Sequence, residues 1–142
     1  MRPLLAAALI ALPCLAFAAE SGSAPIGGLT DIPQEEWTRM SAGRTLTYTI
    51  GGEFWAREHY APDGNGVTLQ FYDGMCLDGT WSWRDGLYCF DWRNEGVSCF
   101  RHARLGSEIL VLETRDGVET GAIQVMSGVS DLPVSCGPAA IS

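Results

Sequence analysis

The sequence predicts a mainly β fold: a small antiparallel meander of about eight strands, curled into a barrel or a sandwich and preceded by one short helix. From Thr45 onward, apolar and polar residues alternate with a period of two, as in TLTYTI at 45–50. Turn signals rich in glycine, asparagine and aspartate recur at short intervals. Short strands joined by tight turns are typical of small antiparallel barrels and sandwiches.

The N-terminus predicts export. Arg2 precedes an apolar run over residues 4–17, and Ala16-Phe17-Ala18 has the small-x-small pattern of a signal-peptidase site. This run is too short to span a membrane. We therefore expect residues 1–18 to be a signal peptide that is cleaved after Ala18, and the mature protein to lie in the periplasm.

The rest of the chain is predicted to form one domain. Residues 19–30 are rich in Gly, Ser and Ala and are typical of a flexible lead-in. Residues 31–142 have a suitable length for a single β-domain with its own core. No internal repeat divides this segment, so we expect one domain. We also expect a monomer.

One short helix is expected at the start of the domain. Asp31 is the predicted N-cap, Pro33 would lie in the first turn, and Gly43 would end the helix. Such a helix would bury Trp37 and Met40.

Eight strands follow, and their turns set the register. They are predicted at 45–50, 54–60, 67–73, 79–84, 87–93, 97–104, 108–114 and 118–126. A tight turn at Asp85-Gly86 pairs Trp83 with Tyr88, and the next turn pairs Tyr88 with Phe100. Trp81, Trp83, Tyr88 and Phe90 then share one face as an aromatic wall.

Four cysteines remain after signal cleavage, and an even number in an exported chain predicts two disulfides. The register places Cys89 directly across from Cys99, at a separation that suits a cross-strand disulfide. By elimination, Cys76 bonds Cys136. A zinc site is the alternative, but the sequence has neither a C-x-x-C pair nor a nearby pair of histidines.

Composition and motifs exclude several classes of function. The formal net charge of −8 repels phosphate backbones and anionic lipids, so nucleic acid and membrane surfaces are poor partners. The sequence has no G-x-S-x-G nucleophile motif and no glycine-rich phosphate loop. Residues 63–66 resemble the start of a calcium loop but lack the later oxygen ligands, which favours a hairpin turn. We expect no metal and no cofactor.

Two ionisable side chains are predicted to point into the barrel. Strand parity puts Glu58 on the face of Phe54, Ala56 and Tyr60, whereas His102 shares the face of Phe100. Together with Trp81 and Trp83, these two residues define the candidate pocket, in which aromatic rings could stack on a ligand. Two other interpretations remain: a bulge turns one side chain outward, or an arginine such as Arg101 neutralises Glu58.

Several motifs spread along the chain carry a resemblance to a known family. They are GRTLTY at 43–48, Glu58 and Tyr60 before a Pro-Asp-Gly turn, Cys76 with Gly79 and Trp81, Cys89-Phe90, Cys99, and the ending from Leu132-Pro133 to Cys136-Gly137-Pro138. With this pattern of four cysteines, the chain resembles a family of small exported β-proteins of alphaproteobacteria. The resemblance covers nearly the whole mature chain and implies a periplasmic β-fold, but it implies no activity.

The leading hypothesis is a non-catalytic periplasmic protein that binds a small apolar molecule inside the barrel or an envelope protein on its outer face. Because inward aromatic residues are many and a small barrel has little interior space, we expect a mostly filled core. An inhibitor of an envelope hydrolase, with a protruding side chain on an exposed loop, is one alternative. A small envelope enzyme that uses Glu58 and His102 in one open cavity is the other.

Overall fold

Strands make up most of the part of the chain that the structure describes. The computed structural model describes residues 26–137, so the predicted signal peptide and the first part of the lead-in lie outside the described residues. The described elements are β1 (Thr30–Asp31), α1 (Gln34–Ser41), β2 (Thr45–Ile50), β3 (Glu53–Tyr60), β4 (Gly66–Phe71), β5 (Cys76–Arg84), β6 (Leu87–Trp92), β7 (Gly96–Leu105), β8 (Glu108–Arg115) and β9 (Val118–Ser130). All eight predicted strands are present, with small differences at their ends.

Strands β2 to β9 form a closed antiparallel barrel. Each strand pairs with the next along the chain, and β9 pairs with β2 to close the circle. The prediction of a barrel or a sandwich is therefore resolved in favour of a barrel. Because the strands run alternately up and down, the connections fall at two ends. The open end carries turns 51–52, 72–75, 93–95 and 116–117, whereas the closed end carries turns 61–65, 85–86 and 106–107 together with α1.

Helix α1 fills the closed end. Trp37 is fully buried, and its ring contacts those of Tyr60, Tyr88 and His102. The predicted burial of Trp37 is thus confirmed. The predicted N-cap is wrong, because Pro33 occupies the N-cap position and no side chain caps the helix.

Asp31 belongs instead to the two-residue strand β1, which the sequence analysis missed. Thr30 and Asp31 pair with the second half of β7, at Arg104 and Ala103. The register pairs β6 with β7 only as far as Phe100, so the edge of β7 beyond that residue is free to accept another strand. The last residue of the predicted lead-in, Thr30, is therefore part of the sheet.

A β-bulge in β3 changes which aromatic side chain enters the barrel. Tyr48 pairs with Ala56 and Thr49 pairs with Phe54, so Trp55 is the extra residue. Phe54 is exposed and lies under the guanidinium of Arg57, whereas Trp55 contacts Phe71 inside. The parity prediction for Phe54 is wrong for this reason. Because the bulge precedes Ala56, the inward direction of Glu58 is preserved.

The C-terminal segment after β9 runs across the outer surface of the barrel. The Thr45 hydroxyl of β2 donates to the Leu132 carbonyl, and the Gln70 side-chain amide of β4 donates to the Ser135 carbonyl. The segment ends at a disulfide between Cys136 and Cys76 of β5. It therefore fastens three strands, β2, β4 and β5, from outside.

Within residues 26–137, no helix is long and apolar enough to cross a membrane.

Candidate functional site: a cavity inside the barrel

The barrel interior contains a cavity of about 180 Å³. Six of the thirteen side chains that line it are aromatic, and they come from five strands. These are Tyr48, Trp55, Phe71, Phe90, Trp92 and Phe100. Apolar cavities of about 150 Å³ in proteins bind molecules the size of benzene. The rings line the wall and leave room for one small molecule inside an otherwise packed core.

Glu58 projects from β3 into this cavity, although its side chain is only 5% exposed to bulk solvent. The hydroxyls of Tyr60 and Tyr48 both donate to its Oε2 atom, over 2.6 and 3.1 Å. Burial disfavours the charged form and raises the pKa of Glu58 to about 7, and the two tyrosine hydroxyls oppose that rise. Glu58 therefore changes its charge close to neutral pH.

The interpretation in which Arg101 neutralises Glu58 is wrong. Arg101 lies on the outer surface, where its guanidinium donates to Asp31 over 2.6 Å and to Glu119 over 2.9 Å. Among the residues that the structure describes, no arginine or histidine forms an ion pair with Glu58. The carboxyl group is thus buried with hydroxyl partners but without a counter-charge.

His102 lies deeper, between the cavity and α1. Its ring stacks on Tyr88 with centroids 4.1 Å apart and contacts Trp37 at the same distance. Its Nδ1 atom is buried and has no hydrogen-bond partner among the described residues. Burial lowers the pKa of His102 to about 3, so the ring is neutral at physiological pH. Glu58 and His102 line the same cavity, as their strand parity indicated.

The two tryptophans of the candidate pocket have different positions. Trp81 is buried and packs against Tyr60 and Tyr88, with centroids 6.1 and 6.0 Å apart, but it does not line the cavity. Trp83 shares the predicted face, yet it is 42% exposed. Trp83 lies near the end of β5 and is not among the residues that line the cavity.

The disulfides lie away from the cavity wall. Cys89 and Cys99 are paired across β6 and β7 with Cα atoms 4.0 Å apart, and Cys76 is joined to Cys136. The register predicted the first of these disulfides and elimination predicted the second, and both are confirmed. Within the described part of the chain, no three His, Cys, Asp or Glu side chains are grouped in a way that could hold a metal ion.

At the open end, the cavity adjoins a larger groove of about 770 Å³. Four residues line both spaces: Trp55, Ser98, Phe100 and Gln124. The Trp55 indole N–H donates to Gln124 Oε1 over 2.9 Å, which links β3 to β9 across the inner surface of β2. This pair of side chains forms the boundary between the cavity and the groove.

Sequence reasoning missed Trp55 and Gln124. Simple alternation directs the Trp55 side chain outward. The bulge that turns this side chain inward depends on the pairing of β3 with β2. Gln124 lies within a predicted strand, but a lone glutamine there gives no functional signal.

The cavity can hold a small molecule against aromatic rings and offer it one ionisable carboxyl group. A search with this chain matched no protein-family model, no curated protein and no solved structure.

Proposed function

We propose that this protein is an exported periplasmic binding protein that holds a small, largely apolar molecule inside its barrel. The cavity carries this proposal, because aromatic rings form much of its wall and a groove adjoins it at the open end. The N-terminal signal pattern and the two disulfides support export to an oxidising compartment.

The proposal is tested by filling the cavity. Val111 is buried and lines it, so Val111→Phe would occupy part of the space. Val118 lies at the open end and is exposed, so Val118→Phe is the matched control. Binding of toluene and benzyl alcohol is measured by calorimetry, and circular dichroism verifies that each variant is folded.

We expect wild type and Val118→Phe to bind both probes and Val111→Phe to lose at least tenfold in affinity. If Val111→Phe does not fold, Leu77→Phe narrows the same cavity from β5. Failure of wild type to bind either probe, or unchanged binding in a folded cavity-filled variant, would contradict the proposal.

A small enzyme that uses Glu58 and His102 is the second candidate. Both side chains line one cavity, and a carboxyl group with a pKa of about 7 suits proton transfer at neutral pH. Native mass spectrometry of protein purified from the periplasm would identify a bound molecule. Incubating that molecule with wild type and Glu58→Gln distinguishes the candidates: a binding protein returns it unchanged, whereas an enzyme converts it and Glu58→Gln does not.

The inhibitor hypothesis requires a protruding side chain on an exposed loop. The β4–β5 turn is the nearest described match, because it carries the exposed side chains of Tyr72 and Met75. This turn is short, and exposed apolar side chains also lie beside the other turns of the open end, such as Ile50 and Val118. The cavity therefore favours the binding protein over the inhibitor.

A further inference from the structure

The cavity places a carboxyl group inside the barrel without a cationic partner. Glu58 is almost fully removed from bulk solvent, and both tyrosine hydroxyls donate to Oε2, so neither of these hydrogen bonds uses Oε1. An ionised carboxylate in such a site is costly unless a positive charge compensates it. Since no described side chain supplies that charge, a ligand can do so.

The other groups around Glu58 do not compete with a cation. Tyr48 of β2 and Tyr60 of β3 are neutral, because burial raises the pKa of both hydroxyls above the usual value. His102 of β7 is neutral as well. The remaining strands direct uncharged side chains into the cavity, namely Leu69 and Phe71 of β4, Leu77 of β5, Phe90 of β6, Val111 of β8 and Gln124 of β9.

The aromatic wall provides a second attraction for a positive charge. Ring faces attract ammonium groups within about 6 Å, and most strongly where water is excluded. Tyr48, Trp55, Phe90 and Phe100 line the space that Glu58 enters. The combination of several aromatic rings and one carboxylate is the chemistry that recognises an amine.

We propose that the ligand is a small monoamine with an apolar body, whose protonated nitrogen pairs with Glu58 while its body packs against the aromatic wall. This inference rests on the proposed binding function and names its ligand class. Entry of an ammonium group favours the ionised form of Glu58, so the carboxyl group releases its proton when the amine binds. A neutral ligand would leave that proton in place, and a carboxylate ligand would be repelled.

The test compares three probes with one ring and different head groups: benzylamine, benzyl alcohol and benzoate. Calorimetry at pH 8 is expected to show benzylamine binding at least roughly tenfold more tightly than benzyl alcohol, and no binding of benzoate. This preference should shrink at pH 5.5, where Glu58 is protonated. Calorimetry at pH 7 in two buffers of different ionisation enthalpy should detect a proton released with benzylamine and none with benzyl alcohol.

Glu58→Gln should lose the preference for benzylamine and keep its affinity for benzyl alcohol. Glu53→Gln removes an exposed carboxylate from the same strand and should behave as wild type. If Glu58→Gln does not fold, the proton-release measurement on wild type decides the question without a variant.

The possible failures are distinguishable. Binding of benzyl alcohol as tight as that of benzylamine, or amine binding without proton release, would overturn the amine assignment and leave the binding function intact. Failure of all three probes to bind would overturn the binding function and the assignment together.

Discussion

The closed and open ends of this barrel are built from the same alternating strands, yet they differ in packing. At the closed end, α1 inserts Trp37 among aromatic rings, and the Tyr88 hydroxyl donates to the Ile32 carbonyl over 2.7 Å. At the open end, no described helix covers the interior, and the cavity adjoins a groove. The contrast is one of packing: buried rings fill the closed end, whereas the open end leaves space inside the barrel.

The open end also carries exposed apolar side chains. Every turn of the open end carries or adjoins exposed large apolar side chains. They are Ile50, Phe54, Tyr72, Met75, Val97 and Val118. These side chains form an apolar rim around the open end.

The largest expected effect tests the closed end. Trp37→Ala should lower the free energy of unfolding by about 3–5 kcal/mol, because it removes a fully buried ring from the core. Denaturation by guanidinium chloride measures the change. Trp83→Ala, at the same end but exposed, should cost less than about 1 kcal/mol. Similar losses in the two variants would show that α1 is not the main stabiliser of this end.

The second expected effect concerns pH. Folding raises the pKa of Glu58 from its ordinary value of 4.5 to about 7, so the folded state binds this proton more tightly than the unfolded state. Its contribution is complete below pH 4.5 and is lost as the pH rises through 7. The loss amounts to about 3 kcal/mol at 1.36 kcal/mol per pKa unit.

The contribution of His102 to stability has the opposite dependence on pH. Its pKa falls from 6.5 to about 3 on folding, so its contribution is complete above pH 6.5 and is lost as the pH falls towards 3. Unfolding free energies of wild type and Glu58→Gln between pH 4.5 and 7.5 separate the two groups. As the pH rises over this range, we expect the unfolding free energy of the variant to increase by about 3 kcal/mol relative to that of wild type. Parallel curves would mean that Glu58 is not buried as described.

A smaller effect tests the packing between β5 and β6. A Cβ atom at Gly79 would lie 2.6 Å from the Asp91 carbonyl oxygen and 2.7 Å from Trp92 Cε3. Gly79→Ala should therefore destabilise the fold by about 1–3 kcal/mol through overpacking. Gly128→Ala is the control, since its Cβ would meet Thr47 at an ordinary 3.7 Å. Thermal denaturation of both variants measures the difference, and equal melting temperatures would contradict the close approach of Trp92.

The smallest effect tests the boundary at the open end. Trp55→Phe keeps an aromatic ring but removes the hydrogen bond to Gln124, which should cost about 1 kcal/mol of stability. We also expect faster exchange of bound benzyl alcohol, measured from NMR line shapes. Trp83→Phe should change neither quantity. An unchanged exchange rate in Trp55→Phe would show that this pair does not control access to the cavity.

Local sequence patterns predicted much of the fold because two-residue turns fix strand register. The Asp85-Gly86 turn and the turn at 94–96 were sufficient to pair Cys89 with Cys99 and to bring Tyr88 beside Phe100. Parity alone directed Glu58 and His102 inward. The errors arose where a distant segment competes: Asp31 pairs with β7 instead of capping α1, and β2 imposes the bulge that exchanges Phe54 and Trp55.

The sequence by itself determined the alternation, the turns, the Cys89–Cys99 pair and the inward direction of the two ionisable side chains, because each depends on residues close along the chain. The Cys76–Cys136 pair, whose cysteines are 60 residues apart, followed only by elimination. The tertiary structure alone decided that the strands close into a barrel with empty space inside. It also decided that Glu58 lies there without a cation and that Trp55 and Gln124 meet at the mouth. These features depend on contacts between residues far apart in sequence. The position of each strand, and so the space left between the rings, is set by the whole fold.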